Sequence, residues 1–99
     1  LTFILKSPKE IMLEISQRFK AERLRQNLTQ AGVSVRSGVS LGSLKRFEQS
    51  GEISLISLLD LAIVLGRVDD FENLFADNRP SGSLFTKKEE KIRQRGRVK

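Results

Sequence analysis

From residue 8 onward apolar residues recur at helical spacing, and short polar breaks divide them into segments. Ile11, Ile15, Phe19 and Arg23 repeat at i+4 and predict a first helix from residue 8 to about 26, with Asn27 able to end it. Ser7-Pro8-Lys9-Glu10 marks its start, because a capping serine, a proline at the first helical position and a glutamate three residues on form a capping box. Thr29 can cap a short second helix over residues 30–37, although Gly32 inside it costs about 1 kcal/mol relative to alanine. Gly38 falls where that helix must stop and a left-handed residue costs least. Val39 can then enter the core, and Ser40 can cap a third helix over residues 41–49, in which Leu44 and Phe47 give one buried side. Ser50-Gly51-Glu52 reads as a turn. Ser54 caps a fourth helix that Gly66 ends, with Leu55, Leu58, Leu59, Ala62 and Leu65 as its core stripe. Ile56, Ile63 and Val64 exceed what one face can bury, so they meet either neighbouring helices or another subunit or partner. Asp69 with Glu72 starts a last short helix carrying Phe71, Leu74 and Phe75.

The two ends read differently. Residues 1–5 form an apolar run that is either a short strand in need of a partner or a terminus resting on the core. Residues 78–83, Asn-Arg-Pro-Ser-Gly-Ser, have linker composition, and Thr86 to Glu89 can cap one more helix to about Gln94. Residues 93–99 read as a flexible basic tail. The expected organisation is one all-α domain over residues 1–79, followed by a linker and basic tail over residues 80–99.

Composition narrows the chemistry. With no Cys and no His, the chain has no disulfide, no thiolate or imidazole metal ligand and no imidazole base, so an enzyme is the least expected class. No cofactor is expected. The apolar start lacks the length and flanks of a signal peptide, and no stretch is long enough to span a membrane. The net charge of +6 points to a polyanionic partner, yet its distribution matters more than its size. Residues 87–99 hold seven Lys or Arg and two Glu, which is +5 of the total. The predicted domain is therefore nearly neutral.

The free side of the third helix carries Gly42, Ser43, Lys45, Arg46 and Gln49, with no acidic residue before Glu48. Leu28-Thr29-Gln30, Gly38-Val39-Ser40 and Leu44, Arg46, Phe47, Glu48 together resemble the helix-turn-helix of the Cro/repressor superfamily, also called the xenobiotic-response-element family. The motif spans residues 28–49, and the likeness continues through Leu55, Leu58-Leu59, Leu61-Ala62 and Leu65-Gly66 to cover about residues 14 to 76. The resemblance implies a five-helix, lambda-repressor-like DNA-binding domain, and a cytoplasmic, nucleoid-associated protein.

It also implies roles for particular residues. The helix from Leu41 would lie in the major groove while the second helix crosses the backbone. Gln30 would meet a phosphate or an adjacent base, and Ser40 and Ser43 would be short donors. Arg46 would fork to guanine O6 and N7, while Lys45 and Gln49 would meet phosphates. Leu41 could touch only a thymine methyl, and Gly42 makes no side-chain contact, so direct readout is thin and DNA shape would supply part of the specificity. Arg23 would pair with Glu48 as a structural tie. Outside the motif, Arg46 would read as a solvated surface arginine, and the basic tail as a solvating end that fits nucleic acid or an acidic protein groove equally well.

A dimeric repressor on a palindromic operator is the leading expectation. The short helix VDDFENLF, the Pro/Ser linker, a Ser-Leu pair and the basic end are similar to HipB-like antitoxins, which implies autorepression of a toxin-antitoxin operon and a complex with a HipA-like serine/threonine kinase toxin. A phage-type or stand-alone regulator, and a protein-interaction adaptor on the same fold, are the alternatives.

Overall fold

A computed structural model describes residues 5–77 of the chain, and over that span the protein consists of five α-helices. α1 (Pro8–Arg25) begins at the capping box: Ser7 Oγ accepts from the Glu10 N–H at 3.1 Å, and Glu10 Oε1 accepts from the Ser7 N–H at 2.8 Å. Two backbone donors left over at the helix start are thereby satisfied. Thr29, Ser40 and Ser54 repeat half of this device for α2 (Gln30–Ser37), α3 (Leu41–Ser50) and α4 (Leu55–Leu65), each accepting the N–H three residues ahead. Those three helices end at Gly38, Gly51 and Gly66 in left-handed conformation.

α3 packs on α1 and α2, and α2 also packs on α4. The result is a compact all-α globule, with no strand among the described residues. Phe19, Val33, Val39, Leu44, Phe47, Leu61 and Leu65 form its core, flanked by half-buried Ile15, Leu28, Ile53, Leu58 and Val64. Phe19 of α1 meets Phe47 of α3 edge to face, with ring centroids 5.4 Å apart, the arrangement favoured by the aromatic quadrupole. This contact fixes α3 against α1 from the side that Leu44 and Phe47 bury.

Gly51 closes the corner between α3 and α4. Its φ is 84°, and a β-carbon there would stand 2.7 Å from the Met12 carbonyl carbon and 2.9 Å from the Leu13 nitrogen. The α1 backbone therefore lies directly against the turn. Gly32, expected to weaken α2, sits in an intact helix. Its N–H donates to Thr29 Oγ1 at 2.9 Å, and a β-carbon would come within 3.1 Å of that oxygen. The helix propensity lost at Gly32 leaves room for its own cap.

Two expectations shift. In α4 the expected stripe holds at Leu58, Ala62 and Leu65, but Leu61 joins it fully buried and Leu55 at the helix start is exposed. Of the surplus apolar residues, Val64 packs on the core, while Ile56 and Ile63 stay exposed. The last helix is shorter than predicted. α5 (Asp69–Glu72) is one turn with no side-chain cap, since Asp69 lies inside it. The Asp70 and Phe71 N–H groups already bond the Arg67 and Val68 carbonyls, so the chain has started turning before Asp69. Leu74 and Phe75 fall beyond the helix and are exposed, Phe75 with a φ of 62°. Leu5 is exposed; the rest of the run at residues 1–5, the linker, the cap at Thr86 and the basic tail lie outside the described residues.

Candidate nucleic-acid interface

α3 has two chemically distinct sides. Leu44 and Phe47 are buried, whereas Leu41, Gly42, Ser43, Lys45, Arg46 and Gln49 are all exposed. The exposed side is small at the helix start and basic in its middle. At Gly42 a β-carbon would meet nothing within 4 Å, so the start of this surface is open.

Glu48 is on α3 but points inward, and its side chain is the hub of a network beneath the exposed face. Arg23 Nε donates to Glu48 Oε2 at 2.7 Å and Arg23 Nη2 to Oε1 at 3.0 Å, a fork in which both side chains are more than nine-tenths buried. Arg23 Nη1 donates to the Leu28 carbonyl at 2.8 Å, and Gln30 Nε2 donates to Glu48 Oε1 at 3.0 Å. Three segments are thus tied by one carboxylate: the end of α1, the start of α2 and the last turn of α3. Removing either charge would strand the other in the interior, at a cost of about 3–5 kcal/mol.

The network draws Gln30 inward. Expected at a phosphate or a base, its amide is half-buried and bonded to Glu48, so in the unbound chain it helps to set the angle between α2 and α3. Ser40 is likewise occupied, accepting from the Ser43 N–H at 3.1 Å and donating to Ser43 Oγ at 2.9 Å. Leu41, at 37% exposure, lies at the edge of the surface, and Lys45 and Gln49 stand fully on it.

Arg46 has a partner that the spacing within α3 does not reveal. Its Nη2 lies 2.6 Å and its Nε 3.2 Å from Glu52 Oε1, while Lys9 Nζ is 3.9 Å from Glu52 Oε2. The Arg46 hydrogen bond and charge, with the charge of Lys9, hold the Glu52 carboxyl below the usual carboxylate range. Glu52 reaches Arg46 because the left-handed Gly51 reverses the chain after the last turn of α3. The signal in the sequence was a glycine between a helix and an acidic residue six positions after the arginine.

The pair is exposed, with the Arg46 side chain 71% accessible. An exposed ion pair is worth little in water, whereas a forked contact to guanine discriminates by about 1–3 kcal/mol. The intramolecular pair therefore does not prevent Arg46 from engaging a base.

Among the described residues there is no group of His, Cys, Asp or Glu able to hold a metal ion, and no helix long and apolar enough to cross a membrane. Comparison with protein-family models, with curated proteins and with solved structures finds no match.

Proposed function

We propose that the chain is a sequence-specific double-stranded DNA-binding repressor, built on a lambda-repressor-like helix-turn-helix and acting as a dimer on a palindromic operator. The observation that carries this reading is the exposed side of α3, where Ser43, Lys45, Arg46 and Gln49 face outward while Glu48 is held inward by Arg23 and Gln30. A helix so supported from behind, with its acid turned away, has the dimensions and charge to enter a major groove. Lys45 would meet phosphate and Arg46 a guanine edge. A single domain of this size makes too few contacts for tight binding, and exposed Ile56, Ile63, Leu74 and Phe75 offer apolar surface for a second copy.

Within this reading the narrower proposal is a HipB-like antitoxin that represses its own operon and complexes a HipA-like kinase toxin. Its support is the sequence likeness of the segment after α4, including the linker and basic end. A phage-type or stand-alone regulator shares the same DNA chemistry. The rival class, a protein-interaction adaptor, is favoured by the exposed apolar residues of α4.

Selection from a pool of random duplexes at near-physiological salt tests the proposal. Enrichment of a two-fold symmetric site, with half-sites about one helical turn apart, is the expected result. A pool that stays random, together with binding of an apolar partner that is insensitive to salt, would favour the adaptor.

A further inference from the structure

The Arg46–Glu52 pair has a geometry that bears on how the arginine reads a base. Glu52 Oε1 takes the side edge of the guanidinium, Nε and Nη2. Nη1 and the second N–H of Nη2, the end-on edge, lie outside this pair. A guanidinium can therefore hold a carboxylate along one edge and present two parallel donors along the other, the pattern that matches guanine O6 and N7.

The backbone that carries Glu52 is itself held. The Glu52 N–H donates to Ser50 Oγ at 3.1 Å, and Ser50 Oγ donates to the Arg46 carbonyl at 2.8 Å, so the turn is tied back to the residue it serves. Gly51 presses against the α1 backbone, and Lys9 of α1 approaches the second carboxylate oxygen. A long arginine side chain loses rotamer freedom when it is ordered. Part of that ordering is already made in the unbound chain.

We propose that Glu52 is a specificity-determining positioning residue, which holds the Arg46 guanidinium in the plane needed for end-on readout of a base. This rests on the DNA-binding reading above. Glu52 also has an opposing effect, since a carboxylate at a polyanion surface repels phosphate from any sequence. The two effects separate cleanly. Repulsion lowers affinity for all duplexes alike, whereas positioning raises the preference for one duplex over others.

The test measures affinity for the selected duplex and for a scrambled duplex with the intact chain, Glu52→Ala, Glu52→Gln, Arg46→Ala, and Glu52→Ala combined with Arg46→Ala, after thermal melting has shown each to be folded. Positioning requires that Glu52→Ala bind the scrambled duplex at least as well as the intact chain does, yet lower the selected-to-scrambled ratio about three- to tenfold. Glu52→Gln, which keeps an acceptor for Arg46, should recover part of the ratio. In the Arg46→Ala background, Glu52→Ala should leave the ratio unchanged. A rise in affinity for both duplexes with an unaltered ratio would make Glu52 a repulsive group only and overturn the inference. Absence of any preferred duplex for the intact chain would instead overturn the DNA-reading proposal on which it rests.

Discussion

Gly51 and Gly38 both adopt left-handed backbone, but only one of them has a neighbour in the way. A β-carbon at Gly38 would meet nothing within 4 Å, whereas at Gly51 it would strike the Met12–Leu13 backbone. Gly38→Ala should then cost only the left-handed strain of about 1–2 kcal/mol. Gly51→Ala should cost about 2–5 kcal/mol, because overpacking against backbone adds to that strain; comparison of the two denaturant midpoints checks the difference. The sequence showed Gly51 as a turn glycine but not its contact with α1, which depends on how two distant segments pack. Glu22 gives a second prediction. Hydrogen bonds from Arg25 and Gln26, reinforced by the charges of Arg25 and Arg67, lower its pKa from the ordinary 4.5 to about 2. Since the folded value lies below the unfolded one, its stabilising contribution is complete above about pH 4.5 and is lost as pH falls toward 2. Glu22→Gln should flatten the loss of stability across that window, as read by urea denaturation at a series of pH values. Gln26 extends the same cluster by donating to the Leu65 carbonyl at 2.9 Å, and nothing in the spacing of the sequence announced that link between α1 and α4.

Among the helices, the boundaries set by local chemistry were legible and the faces set by packing were less so. The starts of α1, α2, α3 and α4 were marked by Ser7, Thr29, Ser40 and Ser54, residues whose side chains act within three positions of themselves. In α4 the stripe was legible at Leu58, Ala62 and Leu65, whereas Leu61 was missed and exposed Leu55 wrongly included, because an almost wholly apolar helix has little polar side to mark the limits of its buried face. α5 was overestimated for a related reason. Phe71, Leu74 and Phe75 have helical spacing, but beyond Glu72 the Leu74 and Ala76 N–H groups bond three residues back and Phe75 turns left-handed, so the chain leaves the helix. On α3, Gly42 is exposed with open space where its β-carbon would be. Gly42→Ala should therefore stabilise the domain by about 0.5–1 kcal/mol through helix propensity alone, seen as a higher melting temperature. A lower melting temperature would mean that the unsubstituted helix start makes a contact within the fold.

The molecule as a whole separates shape from charge. Residues 87–99 carry +5 of the net +6, so the domain that presents α3 is close to neutral, and its positive character is local to residues such as Lys45 and Arg46. Removing residues 87–99 should weaken binding to all duplexes by a similar factor and make the dependence on salt shallower, while leaving sequence preference in place; titrations at two or more salt concentrations read both effects. The candidate surface was legible in the sequence as a helix with one side buried through Leu44 and Phe47 and one basic, exposed side. What was not legible was the state of its polar groups: Gln30 is engaged by Glu48, and Arg46 by Glu52, through contacts 18 and 6 residues apart. The most direct measurement is the affinity of the intact chain and of Arg46→Ala for a selected duplex and for a scrambled one, at near-physiological salt. Base reading by α3 predicts that Arg46→Ala lowers affinity for the selected duplex by about 1–3 kcal/mol and barely alters the scrambled one. Equal losses on both would make Arg46 a phosphate contact and contradict readout through this helix.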